Sequence, residues 1–278
     1  MSRHAISYNA RAVVTGAGNG IGRAFAMELH RRGGKVVCSD IDFESADQTA
    51  SFIRSKGGSA LAVKCDVAAL GDVKQLADTA REWFGEPTSL LVNNAGVGIG
   101  GQCVEEISID DWQWVMGINL WGVIHGCHVF VPELKAQGRG GVINVASAAS
   151  FGAAPMMAAY NTTKSAVVSL TETLHSEVFS YGVHVSALCP TFVKTDVIKN
   201  ARMAASSKGK LMGREKAQSL MDKLGHSPES VVVKSLNGLD KNKIHVLPQL
   251  DARIAWRFKR MSPSQFIRFS GLMASQLD

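Results

Sequence analysis

The stretch RAVVTGAGNGIG, residues 11–22, joins a short apolar run to a turn that contains four glycines. The apolar spacing of the residues that follow, IGRAFAMELHRRG, predicts an amphipathic helix directly after the turn. Glycines there allow a tight turn and let the backbone approach a pyrophosphate, which the N–H groups and partial positive charge of the helix start would hold. We therefore expect the phosphates of a dinucleotide to contact Gly16, Asn19, Gly20 and Ile21.

The second apolar run, KVVCSD, ends at Asp40. A carboxylate at this strand end can accept hydrogen bonds from both hydroxyls of an adenosine ribose. Its negative charge would repel the 2′-phosphate of NADP, so Asp40 favours NAD as the cofactor. Arg23, just after the glycines, is the competing observation because it could approach that phosphate, although an arginine in a first helical turn is more often solvated.

Short β-rich apolar runs recur along the first two thirds of the chain. They are RAVVT, KVVCSD, ALAVKCDV, SLLVNNAG, GGVINVAS and VHVSALCP. Segments with helical spacing alternate with them, the longest being DDWQWVMGINLWGVIHGCHVFVPELKAQG. Near-continuous apolar strands must be covered on both faces, so we predict an α/β fold with a doubly wound parallel sheet in three αβα layers.

The last third of the chain breaks this alternation. We expect a single domain over residues 1–278, with a mobile substrate lid over 199–226 and a helical C-terminal extension over 249–278. Between them, a helix after Ser227 and a further strand near KIHVLP are predicted. The methionines Met203, Met212 and Met221 fit a lid that adapts to an apolar ligand.

Composition indicates an ordinary globular protein, with 46% hydrophobic and 19% charged residues among 278. The N-terminal residues lack the apolar core of a secretory signal, and no run approaches the roughly eighteen apolar residues of a membrane span. Five scattered cysteines without a Cys-x-x-Cys pair predict neither a disulfide framework nor a zinc ribbon. We expect a soluble, cytoplasmic protein.

The net charge of +6 is concentrated at one end of the chain, since residues 1–195 carry −2 and residues 196–278 carry +8. No recognisable nucleic-acid module accompanies the basic tail, so nucleic-acid binding is not predicted. The tail segment ARIAWRFKRMSPSQFIRFSGLMASQL has two interpretations. A pair of helices that closes the domain or forms an oligomer interface is favoured over a basic amphipathic surface that covers a lipophilic pocket or rests on a membrane.

Further motifs follow the glycine turn in order along the chain. They are Asp66-Val67, Asn93-Asn94-Ala95-Gly96, and the set Asn119, Ser147, Tyr160 and Lys164. Together with TGAGNGIG, they make residues 8–197 resemble the short-chain dehydrogenase/reductase family in its compact single-domain branch. The resemblance implies a Rossmann fold, a nicotinamide cofactor, and a catalytic tetrad of Asn119, Ser147, Tyr160 and Lys164.

The chemistry of alcohol oxidation or ketone reduction needs a group that exchanges a proton with the substrate oxygen. Tyr160 and Lys164 are one helical turn apart, so the ammonium can lie near the phenol. At an effective dielectric of ~20 and a separation of ~5 Å, their attraction would lower the pKa of Tyr160 by roughly two units. Ser147 would hydrogen-bond the substrate oxygen, and by family analogy Asn119 would hold a water that links Lys164 to solvent.

The resemblance also implies the cofactor contacts. Asp66 and Val67 would lie beside the adenine, Lys164 would bind the nicotinamide ribose, and Thr195 would touch the carboxamide. The full set implied beyond the glycine turn is Asp40, Asp66, Val67, Asn93, Ala95, Gly96, Tyr160, Lys164, Pro190, Val193 and Thr195. The chain departs from the family pattern at Thr191, which follows Pro190 in place of glycine, and at Ser89, which stands in place of aspartate. It also lacks a Gly-rich C-terminal segment.

The sequence thus predicts an NAD-dependent oxidoreductase that interconverts an alcohol and a ketone or aldehyde, with a hydrophobic substrate. The alternatives are an NAD-binding regulatory or scaffold protein and a sugar-nucleotide epimerase or dehydratase. His125 and His128 could share a helix face, but no third ligand accompanies them and no metal site is predicted. The apolar helices around Asn119 and Tyr160 predict a homodimer or homotetramer.

Overall fold

The computed structural model describes residues 5–152, 154–195, 201–203, 219, 223 and 225–275. Its centre is a parallel sheet of seven strands in the order β3-β2-β1-β4-β6-β7-β9. The strands of this sheet are β1 (Arg11–Thr15), β2 (Lys35–Asp40), β3 (Ser59–Lys64), β4 (Leu90–Asn93), β6 (Gly140–Val145), β7 (Val183–Leu188) and β9 (His245–Val246). A second, two-stranded pair joins β5 (Ile99–Gly100) to β8 (Arg202–Met203).

Successive strand residues point to opposite faces of the large sheet, and both faces are buried. Val13 and Val37 belong to the apolar cluster on one face, whereas their neighbours Val14 and Val36 belong to the cluster on the other. This arrangement confirms the predicted α/β fold with a doubly wound parallel sheet in three layers.

Helices cover each face of the sheet. One face is covered by α1 (Gly20–Arg31), α2 (Phe43–Ser55) and α7 (Pro228–Asp240), which bury Phe25, Ile53 and Leu236. The other is covered by α3 (Leu70–Phe84), α5 (Gly122–Gln137) and α6 (Ala158–Glu177), which bury Leu76, Phe130 and Val167. The remaining helices are α4 (Ile109–Met116), α8 (Leu250–Met261) and α9 (Pro263–Ser275).

The helices α4 and α5 are joined by a π-helical turn, Gly117–Trp121, and form one run of 29 residues over Ile109–Gln137. Among the described residues, this run alone is long and apolar enough to cross a membrane by length and composition. Part of its apolar surface is accounted for by packing, because Val123, Phe130 and Leu134 lie in the core against the sheet. The run is therefore a core helix of the domain.

Strand order reverses between β1 and β4, since the chain winds outward from β1 to β3 and then returns to place β4 on the other side of β1. Ligands bind such sheets at the carboxyl ends of the strands beside this reversal. Ser89 secures the pairing at the opposite end: its hydroxyl accepts a hydrogen bond from the Arg11 amide at 2.9 Å. Serine thus fixes the β1–β4 register where the family pattern has aspartate.

The strands predicted from the six apolar runs and from KIHVLP are all present. The β5–β8 pair was not predicted, because each of its strands is only two residues long and carries no periodic pattern. The predicted lid over 199–226 lies mostly outside the described residues, and so do Met212 and Met221. The predicted C-terminal helices are α8 and α9, whose last described residue is Ser275.

A buried ionic cluster ties α1 to α7. The Arg32 guanidinium, in a side chain only 5% exposed, donates to Glu28 at 3.0 Å, to Asn237 at 2.9 Å and to Asp240 at 3.4 Å. Asp240 also accepts hydrogen bonds from the amide and hydroxyl of Ser7. The cluster fastens the N-terminal segment and two helices on one face of the sheet.

We predict that Arg32→Leu lowers the free energy of unfolding by about 3 kcal/mol, because it leaves the carboxylates of Glu28 and Asp240 without their buried cation. Urea unfolding followed by circular dichroism measures the change. The neighbouring Arg31, 62% exposed and paired with Glu28 at 3.6 Å, supplies the control. Arg31→Leu should lower the free energy of unfolding by less than about 1 kcal/mol. Equal losses of stability in the two variants would contradict the assigned role of the cluster.

Candidate active site

The glycine turn lies between β1 and α1 and has the close packing that the sequence predicts. Gly16 and Gly20 have φ values of +64° and +53°, which glycine adopts without strain. A Cβ at Gly22 would lie 2.0 Å from the carbonyl oxygen of Gly16. Asn19 precedes the helix, and neither a side-chain cap nor an acidic residue occupies the first turn of α1. The N–H groups at this helix start are available to an anion.

Asn94 and Thr15 lock this turn to the end of β4. The side-chain amide of Asn94 donates to the carbonyl oxygens of Thr15 at 2.9 Å and Gly16 at 3.1 Å. The Thr15 hydroxyl in turn accepts hydrogen bonds from the main-chain amides of Asn94 and Ala95 at 3.0 and 3.1 Å. Sequence reasoning did not place Thr15 or Asn94 among the site residues. The signal was present, because both lie inside the recognised motifs on strands that the reversal makes neighbours.

Asp40 ends β2 beside the glycine turn. Its carboxylate accepts hydrogen bonds from the Gly18 amide at 3.0 Å and from the Asp42 amide at 3.1 Å. A Cβ at Gly18 would lie 2.6 Å from the Cβ of Ser45 and 2.9 Å from Asp40 Oδ2. The carboxylate is thus held at the edge of the turn, where the sequence predicts an adenosine ribose.

Asp66 and Val67 follow β3 on the same edge of the sheet. The Asp66 carboxylate accepts from the Ala68 amide at 2.9 Å, which closes a turn, and Val67 is almost fully buried. His125 shares a hydrogen bond of 2.9 Å with the carbonyl oxygen of Val67 through Nδ1. This contact gives His125 a structural role. Within the described part of the chain, no group of three or more His, Cys, Asp or Glu side chains could hold a metal ion.

The side chain of Asn93 belongs to the core. Its amide donates to Asn144 Oδ1 at 2.9 Å, and Asn144 donates to the hydroxyl of Thr171 at 3.0 Å. A chain of buried polar groups thereby joins β4, β6 and α6. A cofactor would therefore contact Asn93 only through its backbone. Ala95 and Gly96 lie beyond the end of β4.

Asn119 lies in the π-helical turn and is fully buried. Its side chain accepts from the Val97 amide at 2.8 Å and donates to the Val97 carbonyl at 2.9 Å. The Asn119 side chain therefore fixes the backbone just after Gly96. Both polar ends of the side chain are thus engaged with the Val97 backbone. π-Helical turns occur often at functional sites because they redirect the backbone.

The structure brings Ser147, Tyr160 and Lys164 together. Ser147 follows β6, and its hydroxyl lies near enough to Tyr160 to lower the pKa of that phenol. Tyr160 lies in the first turn of α6, and the Lys164 ammonium, one turn further on, lies 5.8 Å from the centroid of the Tyr160 ring. The ammonium donates to the carbonyl oxygen of Val145 at 2.9 Å. A Cβ at Gly96 would lie 3.4 Å from this ammonium and 3.2 Å from Asn119 Oδ1, so Lys164 and Asn119 both approach this glycine.

The predicted direction of the pKa change at Tyr160 is wrong for the protein without a bound cofactor. Burial raises the pKa of Tyr160, and the hydrogen bond from Ser147 offsets only part of that increase. Burial also lowers the pKa of Lys164 to about 8. Desolvation is the largest cause of both changes, because burial disfavours the charged form of each group.

The segment after β7 closes the site on the side of the glycine turn. The Pro190 carbonyl accepts from the Ala148 amide at 2.8 Å, and Val193 is buried in a parallel bridge with His226. Thr195 lies so close to the turn that a Cβ at Gly20 would meet its Cγ2 at 3.1 Å. This segment therefore runs from Pro190, beside Ala148, to Thr195, beside the glycine turn.

An apolar depression lies beside the first turn of α6. Its lining is Ile99, Gly100, Gln102, Ile107, Met156, Met157 and Ala159. Met156 has a φ of 60°, an uncommon conformation for a residue other than glycine, and its carbonyl accepts from the Gly101 amide at 2.8 Å. Sequence reasoning missed Met156 and Met157, which no motif marks. Strained backbone beside a reactive group is a frequent feature of active sites.

These residues fit a nicotinamide dinucleotide. The glycines at 16, 18, 20 and 22 leave a cradle that side chains would fill, and the start of α1 supplies N–H groups for the phosphates. Asp40 can hold one ribose, and Lys164 can hold the other. The nicotinamide ring would then lie between Thr195 and Tyr160, where proton exchange at the phenol can accompany hydride transfer.

The chain is similar to known proteins over most of its length. The profile of the short chain dehydrogenase family matches residues 10–206. A crystal structure of a short chain dehydrogenase/reductase from Burkholderia phymatum in complex with NAD superposes with a TM-score of 0.86 at 33% identity, over 94% of this chain and 96% of that one. Cyclohexanol dehydrogenase from an Acinetobacter species is 34% identical over 74% of this chain and 82% of its own length.

A short-chain dehydrogenase from Sphingobium yanoikuyae in complex with NADPH shares the fold with a TM-score of 0.76 at 23% identity, over 95% of this chain and 94% of that one. Fold likeness therefore extends to structures that hold either nicotinamide cofactor. The family profile covers more than half of the chain and includes the glycine turn and the tetrad. The chain belongs to the short-chain dehydrogenase/reductase family of oxidoreductases.

Proposed function

We propose that the protein catalyses the NAD-dependent interconversion of an apolar alcohol and the corresponding ketone or aldehyde. The observation that carries the proposal is the convergence of Ser147, Tyr160 and Lys164 on one side of the cofactor cradle. Binding a dinucleotide requires neither a serine nor a tyrosine at these positions. A proton-transfer reaction at a substrate oxygen requires both.

In alcohol oxidation, the substrate hydroxyl would lie between Ser147 and Tyr160. The phenolate of Tyr160 accepts the hydroxyl proton while a hydride leaves the carbinol carbon, so the C–O bond becomes a carbonyl. The bound nicotinamide supplies the acceptor for that hydride. In the reverse direction, Tyr160 donates its proton to the oxygen of the carbonyl as the hydride arrives, and Ser147 steadies the negative charge that develops there.

Asp40 supports NAD as the cofactor. Its carboxylate is fixed at the edge of the glycine turn by the amides of Gly18 and Asp42, so a 2′-phosphate on the adenosine ribose would meet a negative charge. The Burkholderia relative that holds NAD is consistent with this preference. Arg23 is the residue that would favour NADP, and a comparison of the two cofactors decides between these influences.

Apolar lining supports a hydrophobic substrate. Ile99, Ile107, Met156 and Met157 line the small, closely packed depression beside Tyr160, and methionine adapts to varied apolar shapes. The name of the Acinetobacter relative gives cyclohexanol, an apolar secondary alcohol, as its substrate. Cyclohexanol and linear secondary alcohols of increasing length are therefore the first substrates to test.

Assembly and location form part of the same proposal. Ile109 and Trp121, on the helical run that carries Asn119, are 70% and 51% exposed, which supports a homodimer or homotetramer through that face. Sedimentation velocity tests this assembly.

Four of the five free cysteines are buried and one is half-buried, in keeping with a reducing cytoplasm.

We predict that Tyr160→Phe lowers kcat for oxidation of cyclohexanol by about 10³-fold, because the variant lacks the proton acceptor. NADH formation measures turnover, and fluorescence titration should give a Kd for NADH within about twofold of the original. Tyr181→Phe, at an exposed tyrosine outside the site, is the control and should retain activity. Undiminished turnover of Tyr160→Phe would refute the assignment. Tight NADH binding by the unchanged protein without any turnover would instead favour a regulatory role.

A second prediction concerns cofactor choice. Asp40→Ala should lower the ratio of kcat/KM for NAD to that for NADP by at least about tenfold, because it removes the charge that repels the 2′-phosphate. Asp42→Asn removes a carboxylate two residues away that caps α2, and it should leave the ratio unchanged. The same ratio in both variants would show that selection between the cofactors lies elsewhere.

A third prediction concerns pH. Since burial lowers the pKa of Lys164 to about 8, the ammonium that stabilises the phenolate is lost as the pH rises through that value. We expect kcat/KM for ketone reduction at saturating NADH to fall above about pH 8. Lys164→Arg retains its charge in this range and should remove that decline, even if its overall rate is lower. A flat profile in the unchanged protein would argue against a charged Lys164 in the reaction.

A further inference from the structure

Helix α8 is attached to the β9 edge of the sheet through one face. Ala252 is fully buried, and Ala255 and Trp256 pack against the core cluster. The Trp256 ring lies 5.6 Å from that of His245 on β9. The inner face of the helix is therefore defined by contacts with the domain.

The outer face of α8 carries large apolar side chains instead of polar ones. Leu250, Ile254, Phe258 and Met261 follow one another at intervals of four, four and three residues, which places them on one stripe of the helix. They are 69%, 60%, 39% and 86% exposed. A helix on the surface of a globular protein ordinarily turns such a stripe toward the core. Here the outward stripe exposes apolar area that the described residues do not cover.

Three arginines follow one edge of this stripe. Arg253, Arg257 and Arg260 are spaced by four and three residues, so they lie along the helix beside the apolar residues. Arg253 donates to the carbonyl oxygen of Leu247 at 2.9 Å, and the Arg260 guanidinium lies 4.8 Å from the centroid of the Trp256 ring. Within the described ranges, none of the three forms an ion pair with a carboxylate. No carboxylate in the described part of the chain neutralises their charge.

Helix α9 extends the same surface. Phe266 packs edge-on against Phe258, with ring centroids 5.7 Å apart, and so joins the two helices. Ile267, Phe269 and Arg268 are exposed next to it. From residue 250 to residue 275 the sequence holds five Lys and Arg residues against a single acidic residue, Asp251. The helix pair therefore combines exposed apolar side chains with a net positive charge.

We propose that α8 and α9 bind the surface of a lipid bilayer that contains anionic headgroups. The stripe from Leu250 to Met261 enters the boundary between headgroups and acyl chains, and the adjacent arginines contact the lipid phosphates. The helices have 12 and 13 residues, fewer than the roughly twenty needed to cross the hydrocarbon core, so they lie along the surface.

A second copy of the chain fits this surface less well. A twofold dimer brings the same patch of each subunit together, so Arg253, Arg257 and Arg260 of one subunit would lie near the arginines of the other. A nucleic acid would neutralise the arginines but leave the apolar stripe without a partner, since phosphate contacts carry most of such binding. A bilayer with anionic headgroups satisfies both components at once.

Cosedimentation of the full-length protein with vesicles tests the proposal. Vesicles of phosphatidylcholine with about 30% phosphatidylglycerol should bind the protein at low salt, and vesicles of phosphatidylcholine alone should bind it at least about tenfold less. The triple variant Arg253→Gln, Arg257→Gln, Arg260→Gln should lose about 100-fold in partition coefficient to the anionic vesicles. Absence of binding to anionic vesicles at low salt would overturn the proposal.

A matched control shows whether vesicle binding depends on the arginines of α8 or on the total charge of the protein. The triple variant Lys56→Gln, Lys64→Gln, Lys74→Gln removes the same charge near the β3 edge, at the other end of the sheet, and should change binding less than about threefold. An equal loss in both triple variants would contradict a localised surface.

The apolar stripe is tested by Ile254→Ser with Met261→Ser, which should reduce binding about tenfold or more. The control is Phe52→Ser with Phe179→Ser, at exposed phenylalanines elsewhere, and should leave binding unchanged. Thermal unfolding by circular dichroism shows whether each variant is folded. If Ile254→Ser with Met261→Ser instead converts a dimer to a monomer and leaves vesicle binding intact, the surface is a subunit contact and the proposal is wrong.

Discussion

The contact between Gly22 and Gly16 is the constraint on which the site depends. A Cβ at Gly22 would lie 2.0 Å from the Gly16 carbonyl oxygen and 2.5 Å from Asn94 Nδ2, so only glycine lets α1 begin this close to β1. That approach leaves room for the Asn94 amide to bond the carbonyls of Thr15 and Gly16. The start of α1 and the end of β4 are thereby fixed together at the strand reversal, and Asp40 and the tetrad take their positions around this point.

Burial governs the chemistry of the catalytic centre in a way that the spacing of Tyr160 and Lys164 does not reveal. Desolvation raises the pKa of the phenol and lowers that of the ammonium, so each charge is disfavoured on its own. A phenolate beside an ammonium has no net charge and is disfavoured less than either ion alone. Ser147 helps the anionic member by hydrogen bonding to it, and Val145 holds the cationic member.

The sequence predicted most where the signal was local. Alternation of apolar runs gave the strands and layers, and the glycine turn with Asp40 and the Tyr160–Lys164 spacing located the site. Features that depend on distant residues were not predictable. The Asn93 side chain is committed to the core by Asn144, on a strand 51 residues away in sequence. The left-handed backbone of Met156 depends on Gly101, and the pKa of Tyr160 depends on how deeply the finished fold buries it.

Thr191 links the departure from the family pattern to the C-terminal helices. Its amide donates to the Gln249 side chain at 3.2 Å, and its hydroxyl donates to Asp251 at 3.3 Å. A glycine at this position would lack the hydroxyl and keep only the first bond. Because Gln249 and Asp251 border the start of α8, the two bonds tie the start of that helix to the segment that follows Pro190. Ala252 lies inward and Ile254 outward on the same helix, so the residue that departs from the family pattern contacts the helix that carries the exposed apolar stripe.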